Sequence, residues 1–424
     1  MDMKLPFSTT GMMLHLDDSM DYEVLSSSIE SMPKSDKTED EIVLDAMAHP
    51  IGSPKLSELA KGKENVVIIC SDHTRPVPSK HIIPFMLKEI REGNPDAKIT
   101  LLIATGFHRE TTREELVGKF GEEIVDHEHI VIHDSQDMDA MENIGTLPSG
   151  APLLINKVAA NADLLVSEGF IETHFFAGFS GGRKSILPGV ASRKTMMYNH
   201  ATCNIHDPHS ISGILEGNPV HEDMLFAAKA SGIRFILNVI LNQNKEIIGA
   251  VAGDIDTANK ADVAFLSSMC RRKPVFSDIV ITSNGGYPLD QNIYQSVKGM
   301  TTAAASCKKG GVIIMLSSCC DGHGGQDFFQ TFAREPDTKK ILDDILSRAQ
   351  TETIPDQWQS QIFCQILLDH TVILVSDAPR EVVEALHLIY SNSLSDAFCQ
   401  AIEILHKPEP SITLIPDGVS VILS

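Results

Sequence analysis

The chain has 424 residues, 42% of them apolar, and a formal charge of −22. That length exceeds what a single core usually serves, so two α/β domains are expected. The acidic balance argues against nucleic acid or an anionic membrane surface as the main partner, because either would be repelled over most of the surface, and an anionic ligand has to be met by a local positive pocket.

No apolar run approaches the length of a membrane span, and the opening MDMKLPF lacks the basic start and apolar core of a signal peptide, so a cytoplasmic location is expected. Cys70, Cys203, Cys270, Cys307, Cys319, Cys320, Cys364 and Cys399 show no C-x-x-C spacing. They read as reduced thiols, mostly filling cores.

In chain order, short β-rich apolar runs alternate with helix-length segments. Val66–Cys70, Ile99–Ala104, Ala162–Val166 and Phe235–Leu241 read as buried strands, with helical stretches such as Lys80–Arg91 between them. The basic, proline-containing segment Arg271–Pro274 reads as a linker. Beyond it Asp278–Thr282, Gly311–Leu316 and Thr371–Ser376 begin a second alternation. The expectation is therefore two α/β domains with largely parallel or mixed sheets flanked by helices and a site in the cleft between them: residues 1–272 bind a cofactor and 273–409 contact substrate. The strand-like Ser411–Ile415 and Val419–Leu423 can return to either domain, so residues 410–424 are allowed to complete the first.

Ligands in open α/β sheets gather where strands end, and the unusual residues fall at such ends. After Cys70 comes SDHTRPVP, with Asp72, Thr74 and Arg75 at a strand-to-helix turn. Arg75 and Thr74 suit a phosphate; Asp72 suits a ribose hydroxyl or the orientation of Arg75, and an N-cap with a surface salt bridge is the competing reading. After Ala104 comes the turn that ends in His108. The run Glu172–Pro188, ETHFFAGFSGGRKSILP, places His174 beside Gly178, Gly181 and Gly182, with Arg183 and Lys184 following. Glycine backbone N–H groups can turn toward an anion without Cβ interference, and the two basic residues add charge. This loop reads as a phosphate cradle with something reactive next to it.

His108 and His174 both follow strands, where an imidazole can take and return a proton at neutral pH, and two such groups can serve opposite faces of one substrate. His200 is a possible metal ligand. An ordinary surface histidine is the competing reading for each of the three. The pairs His129/His133 and His206/His209 lack a carboxylate and a third ligand in a zinc pattern and read as surface residues. In the second domain Tyr294 and Lys298 share a helix face with Gln295 adjacent, an arrangement able to hold a carboxylate, against the alternative of a solvated helix face. The glycine-rich segment 321–325 and the sole tryptophan, Trp358, are also placed to reach a cleft.

The phrases SDHTRPVPS (71–79), ATGFH (104–108), residues 168–188, NGGYPLDQNIYQ (284–295) and IPDQW (354–358) together resemble the nickel-pincer lactate racemase family, from about residue 40 to the end. The resemblance implies nickel held in a pyridinium-3,5-bisthiocarboxylic acid mononucleotide, bound through sulfur, carbon and sulfur. Lys184 maps to the lysine that forms a thioamide with that cofactor, and His200 to the histidine that completes the nickel square. The phosphate then rests near Thr74, Arg75 and the 178–183 loop. The implied activity is racemisation of D- and L-lactate by hydride transfer through a pyruvate-like intermediate. His108 and His174 exchange the hydroxyl proton, while Gln295 and Lys298 hold the carboxylate. Arg75 steadies the carbonyl oxygen, and Tyr294 and Trp358 wall a small apolar pocket. Cofactor-maturation proteins are implied partners. The alternatives are a racemase or epimerase of another small 2-hydroxy acid, a non-catalytic nucleotide-binding protein, and a hydrolase with histidine-bound zinc.

Overall fold

A computed structural model describes residues 1–17, 19–29, 32 and 35–424. Two six-stranded sheets organise it. The first runs in the order Ile247–Gly253, Phe235–Leu241, Leu164–Phe170, Asn65–Ser71, Lys98–Ala104, His129–Ile132. All neighbours are parallel except the outermost pair, where Ile247–Gly253 runs antiparallel to Phe235–Leu241. Within Asn65–Ser71, Val66 to Cys70 are apolar and buried residue after residue, as a central parallel strand covered on both faces must be. The chain leaves this strand toward Lys98–Ala104 and His129–Ile132, then returns to its other side with Leu164–Phe170. The reversal makes a topological switch point at the carboxyl ends of the strands Asn65–Ser71 and Leu164–Phe170, where such sheets open a crevice.

The second sheet is parallel throughout, in the order Ile389–Ser391, Thr371–Val375, Cys307–Leu316, Ser277–Ser283, Ile412–Ile415, Tyr22–Val24. Strand pairing crosses the expected division at the start of the chain and resolves the choice left open at its end. Ile412–Ile415 lies beside Ser277–Ser283 rather than in the first sheet, and Tyr22–Val24 crosses over to form the far edge. The physical reason is that Ile412, Leu414 and Tyr22 share an apolar layer with Ile279, Ile281 and Val312 that only this sheet provides. Ile422–Leu423 pairs with Arg271–Arg272, tying the end of the chain to the segment read as a linker. Among the described residues no helix is long and apolar enough to cross a membrane. All eight cysteines are free, five of them buried.

Two helices from the second half of the chain face the first sheet's crevice. Ile293–Ala304 buries Ile293, Val297 and Met300, and its start is capped by Asn292, whose side-chain oxygen accepts the Gln295 N–H at 3.0 Å. Gln357–Asp369 packs against it, buried along most of its first two turns. One apolar cluster joins Leu165 and Ile236 of the first sheet to Val297, Trp358 and Phe363, so the crevice is walled by both halves of the chain over a continuous core.

Candidate active site

The switch point opens into a cavity of about 250 Å³. Its lining contains Arg75, His108, His174, Gly181, Gly182, Lys184 and His200 from the first part of the chain, and Tyr294, Gln295, Lys298 and Trp358 from the second. Residues separated by more than two hundred positions in sequence thus share one wall.

His108 is backed by a carboxylate. Its Nδ1 lies 2.6 Å from Asp72 Oδ2, while Asp72 Oδ1 accepts from Thr74 Oγ1 at 2.7 Å and from Thr74 N at 3.2 Å. Burial alone would raise the Asp72 carboxyl, but the His108 bond and charge outweigh it and hold the group below its ordinary value. An ionised Asp72 keeps the His108 proton on Nδ1 and leaves Nε2 as the basic nitrogen. Asp72 and Thr74 are not among the residues lining the cavity, and they are hydrogen-bonded to His108 and to each other beside it.

His174 is wired the opposite way. Its Nδ1 accepts the Ala177 N–H at 3.2 Å, so the neutral ring carries its proton on Nε2. Phe176 packs edge-on against it at 4.5 Å and Phe175 stacks at 5.2 Å. Burial, then the charges of Lys184, Lys298 and Arg75, push its pKa well below the usual histidine value. One ring offers a lone pair and the other a proton.

His200 departs from the surface-loop position expected of it. It is 6% exposed, held edge-on between Phe176 at 5.2 Å and Trp358 at 5.0 Å. It caps the helix Arg193–Asn199, and its Nδ1 lies 3.1 Å from the Met196 carbonyl, which makes Nδ1 the donor and leaves Nε2 bare. Burial, with the charge of Lys184, takes its pKa to about 3, so the ring is neutral. His133 is another correction: it is buried, with Nε2 on the Ala191 carbonyl at 3.0 Å, because the strand His129–Ile132 delivers it beneath that loop.

The glycine loop divides by role. Gly181 and Gly182 line the cavity at positive φ. A Cβ at Gly181 would stand 3.1 Å from both Phe170 O and Asn238 Nδ2, tighter than ordinary contact. Gly178 does not line the cavity; a Cβ there would meet Ile214 O at 2.2 Å, so its glycine serves a close backbone approach. Arg183 is also turned away, fully buried, with its guanidinium on the Ala177 and Phe179 carbonyls at 3.0 Å each. It braces the loop from behind, and of the basic residues expected around this loop Arg75 and Lys184 line the cavity. Burial, then Arg75 and Arg183, push the Lys184 pKa well below the lysine range.

Lys298 is pushed down to about 8 by burial, with Glu172 partly restoring it. Glu172 and Glu168 both line the cavity, as do Phe176 and Gln359. None of these four was singled out from sequence; Glu168, a carboxylate inside a run of strand residues, carried the one legible signal. The segment 321–325 does not reach the cavity: the carbonyls of Gly322 and His323 accept the Ile293 and Tyr294 N–H groups at 3.1 Å each.

Two family models match, the lactate racemase N-terminal domain over residues 7–213 and the lactate racemase C-terminal domain over residues 272–423. The chain belongs to the lactate racemase family. Its relatives include the lactate racemase of Thermoanaerobacterium thermosaccharolyticum, 48% identical over 423 residues, covering 100% of this chain and 99% of that protein. The lactate racemase of Lactiplantibacillus plantarum is 49% identical over 387 residues, 91% of each chain. Among solved structures, the Thermoanaerobacterium thermosaccharolyticum lactate racemase apoprotein superposes with a TM-score of 0.96 over 100% of both chains, at 48% identity. A Thermotoga maritima protein at 19% identity has a TM-score of 0.62 over 93% of this chain and all of its own, a likeness of fold alone. The lactate racemase family is one of isomerases, and the chain is an enzyme of that class.

Proposed function

We propose that this enzyme interconverts D- and L-lactate with a nickel-pincer mononucleotide attached at Lys184. The observation that carries the reading is the complementary wiring of His108 and His174 on one cavity that Lys298 and Gln295 also line. A 2-hydroxy acid needs both: a carboxylate anchor, and proton transfer at the hydroxyl from two directions.

The residues present fit the cofactor. Lys184 is a buried amine whose pKa is pushed well below the lysine range, first by burial and then by Arg75 and Arg183, which favours the free amine that forms an amide-type bond. His200 has one nitrogen committed and a bare, neutral second one. Among the described residues no group of three or more His, Cys, Asp or Glu is placed to hold a metal ion. A metal bound at His200 therefore needs donors from outside the chain, as a pincer supplies, and a histidine-built zinc centre finds no ligand set. When bound, the cofactor supplies a reversible acceptor for the C2 hydrogen as hydride.

Everything else is the protein's work. Lys298 and Gln295 hold the carboxylate, and Arg75 faces the oxygen at C2. His108 Nε2 takes the hydroxyl proton, while His174 Nε2–H donates to the oxygen from another direction. To give a proton to the mirror-image product His174 must be doubly protonated, since a neutral ring losing its single N–H would be left as imidazolate; in the reverse direction it is the base, with its proton on Nδ1 and the 3.2 Å bond from Ala177 N lost. Phe107, Phe176, Tyr294 and Trp358 narrow the cavity around a small side chain, which suits the methyl group of lactate. Cofactor-maturation proteins are the partners this reading requires. Lactate deuterated at C2 tests it: conversion slows and the label stays in the product. Rapid loss of deuterium to water would mean proton abstraction at carbon and would overturn the hydride reading.

A further inference from the structure

Glu168 stands on the Leu164–Phe170 strand at the switch point, 3% exposed. Its Oε1 is fixed by three donors, Ser71 N at 2.8 Å, Ser71 Oγ at 2.9 Å and Ser79 Oγ at 3.1 Å. Its Oε2 is buried and has no hydrogen-bond partner among the described residues. The side chain nonetheless lines the cavity. Lys119, whose amine feels the Glu168 charge, donates instead to the Arg75 and Val77 carbonyls at 3.2 Å each.

A buried carboxylate oxygen without a partner is costly, and three donors on its twin prevent it from rotating away to find one. Such an atom at a cavity wall is a preset acceptor. The ligand that reaches it has to bring a donor. Anions are drawn to this cavity by Arg75 and Lys298, and a carboxylate rejects an anionic group, so the part of the ligand beside Glu168 is a neutral hydroxyl. In nucleotide-binding sheets an acidic side chain near the switch point accepts from the pentose for the same reason.

We propose that Glu168 Oε2 accepts a hydrogen bond from a ribose hydroxyl of the bound mononucleotide. The inference rests on the mononucleotide reading above and assigns the sugar within it. A hydrogen bond to a charged acceptor corresponds to about ten- to a hundredfold in affinity.

The test uses the full chain made without cofactor maturation, titrated calorimetrically with nicotinic acid mononucleotide and with its 2′-deoxy and 3′-deoxy counterparts. The wild-type protein is expected to bind the ribonucleotide about ten- to a hundredfold more tightly than at least one deoxy form. Glu168→Gln, which can keep its oxygen toward the Ser71 and Ser79 donors and turn N–H groups toward the cavity, is expected to lose that preference. Equal binding of all three by the wild-type protein overturns the role of Glu168 while leaving the mononucleotide site standing. An undiminished preference in Glu168→Gln does the same. Binding of none of them overturns the site reading and the inference together. The wild-type comparison needs no variant, so a poorly folding Glu168→Gln cannot leave the matter open.

Discussion

Asp72→Asn isolates what the carboxylate behind His108 contributes. Asp72 Oδ1 receives two donors from Thr74, its N–H and its Oγ–H, so the asparagine oxygen takes that place and its NH2 group falls where Oδ2 lay, 2.6 Å from His108 Nδ1. Nδ1 then becomes an acceptor, and the neutral ring carries its proton on Nε2. The nitrogen facing substrate no longer has a lone pair. Losing a positioned base costs about 10²–10⁴ in rate, and inverting the tautomer while preserving geometry belongs toward the upper end. Racemisation is followed by polarimetry or enantiomer-resolved chromatography from each lactate enantiomer. Enantiomers have equal free energy, so kcat/KM must fall by the same factor in both directions, an internal check on the assay. A linked stability effect has a definite sign. The Asp72 carboxyl is depressed in the folded state, so its contribution is full above the unfolded aspartate value near 4 and fades as pH drops below it. The variant is expected to be less stable than wild type by about 1–3 kcal/mol at pH 7, with the gap closing in acid. Racemisation within threefold of wild type, with the same pH profile, would refute the assignment of Asp72 and with it the assignment of Nε2 as the base.

Lys184→Ala should leave the intact mass of cofactor-exposed protein at the unmodified value while wild type gains an adduct; an equal adduct in both would move the attachment elsewhere. His200→Ala should lose nickel, measured by elemental analysis, and should also melt lower by an amount on the order of 2 kcal/mol, because the ring is packed between Phe176 and Trp358. Retained nickel in a folded variant would return His200 to a packing role. Lys298 must be protonated to hold a carboxylate, and with its pKa taken to about 8, kcat/KM should fall as pH rises through that value, mainly through KM. Lys298→Arg should move that limb to higher pH, and an unmoved limb would assign it to another group.

Several features were legible in the order of residues alone. Runs such as Phe235–Leu241, apolar without alternation, announce buried parallel strands, and the observed strand has the same bounds. Strand exits that end in Arg75, His108 and His174 announce a site, and the spacing of Tyr294, Gln295 and Lys298 announces one helix face. These are local properties, carried by periodicity and by chemistry out of place.

Direction and partnership emerge only when distant segments pack together. Arg183 and Lys184 are neighbours in sequence, yet one is turned inward to brace carbonyls and the other lines the cavity, because a short helical turn at Gly182–Ser185 points adjacent side chains apart. His200 looks like any loop histidine until Phe176 and Trp358, far from it in the chain, close around it. Sequence shows the charge of Asp72 and conceals that it lies 2.6 Å from His108 Nδ1. Tyr22–Val24 and Ile412–Ile415 join the same sheet from opposite ends of the chain, since edge pairing depends on which apolar layer is left uncovered and not on proximity in sequence. Sequence by itself determined which chemical groups the site would contain; packing determined which nitrogen of each histidine is free, and so what each group can do.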